Sequence, residues 1–279
     1  MIHRPAPGAI AALAIAAPVL IGALYSTLAA FGLAGVGARG FTADGAIRVL
    51  TDAHTWRAVA WTCATAGVAT LIAAAIAFVL ALRLRESRLG RRVALLPMAV
   101  PHLAAALAAL LLLGQSGLLS RVGHALGFID SPGSFPALVY DRAGVSLIVT
   151  FIWKELPYLT LTATAVLLTG TRELEEVGRT LGATPAQVFW RVTWPRLWRG
   201  TAPAIIAALA FLVGQYEMPA LLAPSDPTPL SLLTFERATD PNLSRRGEAH
   251  VLGLLALAIA ALLAIAHASW QTRTEAGRR

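Results

Sequence analysis

Long apolar stretches separated by shorter polar ones run along the whole chain. Six runs, each longer than 20 residues, consist mostly of Ala, Leu, Ile and Val: 9–32, 57–82, 93–113, 143–169, 203–223 and 249–270. A hydrocarbon layer about 30 Å thick needs about 20 helical residues, so each run can span a bilayer. None alternates with a period of two, which argues against barrel strands. The pattern predicts an all-α integral membrane protein, with six transmembrane helices in one domain, residues 1–279.

Composition supports this prediction. The chain is 57% hydrophobic and 14% charged, whereas soluble domains carry about 25% charged residues. The first run is longer than the apolar region of a signal peptide and only Arg4 precedes it, so we interpret it as a retained span. Cys63 is the only cysteine and lies within the second run, so no intrachain disulfide can form. It is expected to be a small packing residue.

The arginines indicate which ends of the helices face the cytoplasm. If the N-terminus is cytoplasmic, 14 arginines fall in inside segments and 8 in outside segments. Because cytoplasmic loops carry the excess of basic residues, this places both termini and the loop after the fourth run in the cytoplasm. The net charge of +8 is therefore a topology signal. It does not indicate nucleic-acid binding, since no basic stripe lies in a soluble domain.

The loop after the fourth run, residues 172–202, has helical patterning with a break in the middle. Glutamates near its start favour the beginning of a helix, and Gly182 suits the position after that helix, where φ is positive. Thr184, Pro185 and Gln187 form a capping-box pattern at the start of a second helix. We expect that second helix to end before Pro195.

The second half of this loop combines aromatic and basic residues at helical spacing. Tryptophans recur every four residues, each close to an arginine: Trp190, Trp194 and Trp198 with Arg191, Arg196 and Arg199. Such a pattern is typical of a helix at the level of the lipid headgroups. On residue pattern alone, an ordinary interfacial loop without a protein partner is an equal alternative.

The spacing of certain loop residues carries a family resemblance. The pattern E-x5-G-A-x5-F-x2-V-x2-P is formed by Glu176, Gly182, Ala183, Phe189, Val192 and Pro195. It resembles the EAA motif of the permease subunits of binding-protein-dependent ABC importers, the type I or MetI-like family, and it lies between the fourth and fifth of six spans, as in that family. One departure is Gly178, where the family commonly has Ala, which weakens the first helix by about 1 kcal/mol.

The resemblance implies a MetI-like fold in a bacterial inner membrane and a coupling role for the loop. Glu176, Gly182 and Ala183 correspond to the motif core, and the turn from Thr184 to Phe189, with Pro185 and Val188, would dock on a separate ABC ATPase subunit. The other implied partners are a second permease copy or sister permease, an extracytoplasmic solute-binding protein and membrane lipid, with no nucleic acid. The solute stays open.

The chain itself lacks the residues needed to hydrolyse ATP. Lys154 is its only lysine and lies inside the fourth run, whereas a P-loop needs a lysine that follows glycines at the start of a helix. No metal site is predicted, because no cluster of His, Cys, Asp and Glu has metal-ligand spacing. No catalytic or cofactor-binding site is predicted either. The expected role is a transport subunit, with ATP hydrolysis in a partner chain.

Three charged residues fall at membrane depth. Lys154, Glu155 and Glu217 would each cost at least ~2.5–3.5 kcal/mol there if neither paired nor hydrated. One hypothesis pairs Lys154 with Glu217 across the fourth and fifth helices, and the other has these charges line the translocation pathway. They would be coupling residues in the alternative function, a secondary transporter driven by an ion gradient. The absence of an evident inverted repeat counts against that alternative.

Overall fold

The structure, a computed structural model, describes residues 7–36, 38 and 40–276. Within them the regular elements are all helical. The first seven α-helices are α1 (Pro7–Ala30), α2 (Asp44–Thr51), α3 (Ala53–Leu84), α4 (Arg88–Ala94), α5 (His102–Leu113), α6 (Leu118–Ala125) and α7 (Val145–Leu168). The remaining six are α8 (Thr171–Thr180), α9 (Pro185–Val188), α10 (Trp194–Gly214), α11 (Glu217–Leu222), α12 (Leu230–Ala238) and α13 (Arg246–Ala276). The predicted all-α class is confirmed.

Four helical stretches of the described chain are long and apolar enough to cross a membrane. They are Ala53–Leu84, His102–Ala125, Pro185–Gly214 and Arg246–Ser269. Helix α1 is apolar over Ala14–Ala30, the part of it whose side chains the structure describes. Helix α7 has the length of a span, 24 residues, but carries Lys154 and Glu155.

Four of the arginines counted above lie outside the described residues: Arg4, Arg39, Arg278 and Arg279.

Two of the predicted spans differ from the helices in the structure. The run 93–113 is interrupted, since α4 ends at Ala94, a 3-10 turn covers Leu96–Ala99, and α5 begins only at His102. Pro97 and Pro101 lack the backbone N–H that a continuous helix requires. The run 203–223 is interrupted after Gly214, where α10 ends two residues before α11.

The bundle is held together by small residues. Along α3 the alanines Ala66, Ala69, Ala73 and Ala77 are fully buried, and two of them lie in an apolar cluster with Leu159 of α7. Side chains this small let helix backbones approach closely. Gly200 of α10 does the same against α7, because an added Cβ there would lie 2.7 Å from a methyl group of Val166. The core therefore consists of α3, α7 and α10, with α1 and α13 packed together beside it.

Candidate functional site: the loop after α7 and the intramembrane charges

The first half of the loop ends in a Schellman turn, built by backbone hydrogen bonds. The Ala183 N–H donates to the Gly178 carbonyl at 3.0 Å, and the Gly182 N–H donates to the Arg179 carbonyl at 2.9 Å. Gly182 has φ +83°, the left-handed conformation that glycine adopts without steric cost. The predicted positive φ at Gly182 is confirmed, and the turn fixes the angle at which the chain leaves α8.

The second half begins with the predicted capping box. The Gln187 N–H donates to Thr184 Oγ1 at 3.3 Å, and the Thr184 N–H donates to Gln187 Oε1 at 2.9 Å. Pro185 occupies the first turn of α9, where its missing N–H leaves no bond unmade. The Schellman turn and the capping box are adjacent, so residues 181–184 form a rigid elbow between two helices.

The prediction that the second helix ends before Pro195 is wrong. Helix α9 passes into a π-helical turn, Phe189–Thr193, and then into α10 without a break in the helical path. The Trp194 N–H donates to the Phe189 carbonyl, five residues back. A π turn widens the helix locally and so accommodates a residue that cannot donate to the preceding turn. The elbow is thus continuous with a membrane-spanning helix.

The predicted docking residues divide into an exposed group and an inward-facing one. Gly182, Thr184 and Pro185 are exposed and Ala183 is half-buried. Glu176 is also exposed, with its carboxylate 3.2 Å from Arg172 one helical turn earlier. Val188, in contrast, is buried and packs towards Gly178 inside the loop, and Phe189 is half-buried. We call residues 181–185 the tip of the elbow. Any partner that meets the elbow contacts this tip, and the buried Val188 packs beneath it.

Glu175 is a functional candidate that the sequence reasoning missed. It is 4% exposed. One carboxylate oxygen lies 3.0 Å from Arg85 Nη1, just after α3, and the other accepts from Thr193 Oγ1 of the π turn at 2.6 Å. A buried carboxylate with charge-assisted partners on both sides fixes α8 to α3 and to α10. Thr171 and Glu175 lie one helical turn apart and are both buried, but the sequence shows only their spacing and not their burial.

The structure gives Lys154 partners other than Glu217. Its Nζ donates to the backbone carbonyls of Val100 at 2.6 Å and Pro97 at 3.0 Å. These carbonyls belong to the interrupted segment before α5, where the Pro97 carbonyl also accepts the Val100 N–H at 3.3 Å. Among the described residues no ion pair joins Lys154 to Glu217. The pairing hypothesis is therefore wrong, and Lys154 stabilises the break between α4 and α5.

The two glutamates lie in different surroundings. Glu155 is 7% exposed and lines a cleft of about 370 Å³ with His102, Tyr158 and Phe211. His102 packs against Phe211, with ring centroids 5.3 Å apart. Glu217 is exposed in the first turn of α11.

Within the described residues no group of three His, Cys, Asp or Glu could hold a metal ion.

Comparison with known proteins gives consistent matches. A sequence model of the family described as "Binding-protein-dependent transport system inner membrane component" matches residues 73–274. The molybdenum transport system permease protein ModB of Mycobacterium tuberculosis is 31% identical over 211 residues, which is 72% of this chain and 74% of that protein. The sulfate transport system permease protein CysT of Synechocystis is 29% identical over 171 residues, 60% of this chain and 55% of that one.

The fold also matches a solved structure. In the crystal structure of a bacterial alginate ABC transporter in complex with an alginate pentasaccharide-bound periplasmic protein, one chain superimposes with a TM-score of 0.73. The match covers 96% of this chain and 92% of that chain at 17% sequence identity. At that identity the likeness is one of fold.

Proposed function

The chain belongs to the family of inner membrane components of binding-protein-dependent transport systems, and we propose that its elbow couples it to a separate ATPase. As a permease subunit it is a multi-pass protein of the inner membrane and not itself an enzyme. In the proposed mechanism, an extracytoplasmic binding protein delivers the solute and a partner chain hydrolyses ATP. Closure of the ATPase moves the elbow, and the elbow moves the spans.

The connection between the elbow and the bundle is the observation that carries this proposal. Leu181 in the tip is 82% exposed, so a partner protein can contact it. Behind the tip, Glu175 joins α8 to Arg85 beside α3 and to Thr193 at the start of α10. A force on the tip therefore reaches α10 along the continuous helix and reaches α3 through one buried carboxylate. A loop that only rested on the membrane would need no such attachment.

The proposed pathway runs past the polar groups between α5, α7 and α10. Glu155 lines the cleft there, and Glu217 is exposed on the surface of this chain. A carboxylate facing hydrocarbon at this depth would cost at least ~2.5–3.5 kcal/mol. A second permease, either another copy or a sister subunit, would cover Glu217 and enclose a hydrated passage. We place both termini and the elbow on the cytoplasmic side.

Uptake into reconstituted vesicles tests the proposal directly. The chain would be reconstituted with its ATPase and binding protein and supplied with labelled solute. Molybdenum and sulfate compounds are the first solutes to assay, because two relatives are named for them. Uptake should require ATP inside the compartment that holds the ATPase. Uptake by the chain without any ATPase, driven by a proton or sodium gradient, would support the secondary transporter instead.

A further inference from the structure

A groove of about 700 Å³ separates α8 from the start of α10. We call it the arginine groove. On the α8 side it is lined by Leu174, Val177 and Leu181, and on the other side by Arg191, Val192 and Arg199. No acidic side chain is among the described residues that line it. The groove thus combines apolar walls with a positive rim, and it lies on the face of α8 away from the buried Glu175.

The arginines of the groove differ in what they bind. Arg196 donates from Nε to Thr171 Oγ1 at 3.1 Å and from Nη2 to the Thr169 carbonyl at 3.2 Å, so it closes the end of α7. Arg191 and Arg199 are exposed. Within the described part of the chain, neither has a hydrogen-bond or ion-pair partner. Two guanidinium groups are therefore available to an anion at the rim of an apolar groove.

The groove lies at the depth where lipid headgroups are expected. Trp190, Trp194 and Trp198 form an aromatic stripe beside it, with successive ring centroids 6.0 Å and 6.5 Å apart. All three are exposed, by 62%, 36% and 39%. Exposed tryptophans at such spacing mark the membrane–water interface. From the rim the groove continues to Val166 of α7 and Gly200 of α10, inside apolar helices.

We propose that the arginine groove binds one anionic phospholipid, with its phosphate between Arg191 and Arg199 and an acyl chain along the apolar wall. Two guanidinium groups can donate several hydrogen bonds to the oxygens of one phosphate. Free phosphate would leave the valine and leucine wall uncovered, whereas a phospholipid covers wall and rim together. The groove shares Leu181 with the exposed tip that is proposed to meet the ATPase, but Arg191 and Arg199 are not among the predicted docking residues.

Native mass spectrometry of the purified full chain tests this proposal. The chain in detergent would be mixed with phosphatidylglycerol or phosphatidylcholine, and the bound lipids counted. The test variant is Arg191→Gln with Arg199→Gln, whose exposed positions leave the fold intact. The control is Arg88→Gln with Arg92→Gln, which removes two charges from α4 that are not among the residues lining the groove. In this proposal both arginines of the groove contact the bound phosphate, whereas Arg88 and Arg92 do not, so losing the two contacts should weaken binding by roughly 30-fold.

The expected result is one tightly held phosphatidylglycerol on the wild type and on the Arg88/Arg92 control. The Arg191/Arg199 variant should bind it roughly 30-fold more weakly, and phosphatidylcholine should bind weakly to all three. Equal binding of the two lipids by the wild type would overturn the proposal. So would equal loss in the control, or unchanged lipid binding by the Arg191/Arg199 variant. Unchanged lipid binding together with failure to co-purify with the ATPase would assign the two arginines to the ATPase.

Discussion

Replacing Glu175 with Gln should weaken the attachment of the loop to the bundle while leaving its shape unchanged. The substitution removes the charge that faces Arg85 at 3.0 Å but preserves an acceptor for Thr193. Hydrogen bonds to charged groups contribute about 1.5–3 kcal/mol. Because the Arg85 side chain is 29% exposed and can turn to solvent, we expect the lower half of that range. Glu175→Ala also leaves the buried Thr193 hydroxyl without its acceptor, so it should cost more.

The neighbouring residue supplies a matched control for this prediction. Glu176 is 60% exposed and, among the described residues, forms an ion pair only with Arg172, and a surface pair of this kind contributes about 0.3–0.5 kcal/mol. Denaturant-induced unfolding of the purified chain in detergent micelles would measure both variants. Glu175→Gln should lower the free energy of unfolding by about 1.5–2 kcal/mol, and Glu176→Gln should change it little.

The two variants should also differ in the assembled transporter. Glu175→Gln should bind the ATPase normally but import less solute per ATP hydrolysed, since force on the tip reaches α3 less directly. Glu176→Gln should weaken ATPase binding, because that side chain belongs to the proposed docking surface. If the two variants were equally stable and equally coupled, the reasoning from the buried anchor would be refuted.

Three further predictions concern the elbow and the intramembrane lysine. Gly182→Ala should destabilise the chain by about 1–2 kcal/mol through its left-handed backbone alone, since among the described residues no atom beyond its chain neighbours lies within 4 Å of the added Cβ; equal unfolding curves would contradict this. Gly178→Ala should be neutral or stabilising by up to about 1 kcal/mol, because its Cβ would lie 3.4 Å from Val188, an ordinary contact; a large loss of stability would show that the loop is tighter than described. Exchanging Lys154 and Glu217 should not restore uptake lost in either single variant, because Lys154 binds backbone carbonyls; rescue in a transport assay would revive the pairing hypothesis.

Local chemistry explains which parts of the site could be predicted from sequence. The capping box of Thr184 and Gln187 and the positive φ of Gly182 involve residues within a few positions of each other, so their spacing was sufficient. The apolar runs likewise predicted the helical class. Pro195 misled the prediction because a proline normally ends a helix, and the π turn that accommodates it leaves no sequence signal we could read.

The contacts that sequence reasoning missed join residues far apart in the chain. Glu175 meets Arg85 from 90 positions away, and Lys154 meets the Pro97 carbonyl from 57 positions away. In both cases a charged side chain requires a partner when it is buried. Which partner it contacts is determined by the packing of α3, α7 and α8, which the sequence does not show. The break between α4 and α5 was missed for a related reason, since an apolar run does not reveal where its carbonyls find donors.

Cross-linking at the elbow tests the central claim most directly. A single cysteine would be introduced by Ala186→Cys, at an exposed position of α9, after Cys63, the only native cysteine, is replaced by Ser. His124→Cys, exposed on α6, is the control at the predicted opposite end of the bundle. With a maleimide photo-cross-linker in the working transporter, the Ala186→Cys protein should attach to the ATPase subunit and the His124→Cys protein should not. Labelling of lipid alone from the Ala186→Cys position, with and without ATP, would contradict the account.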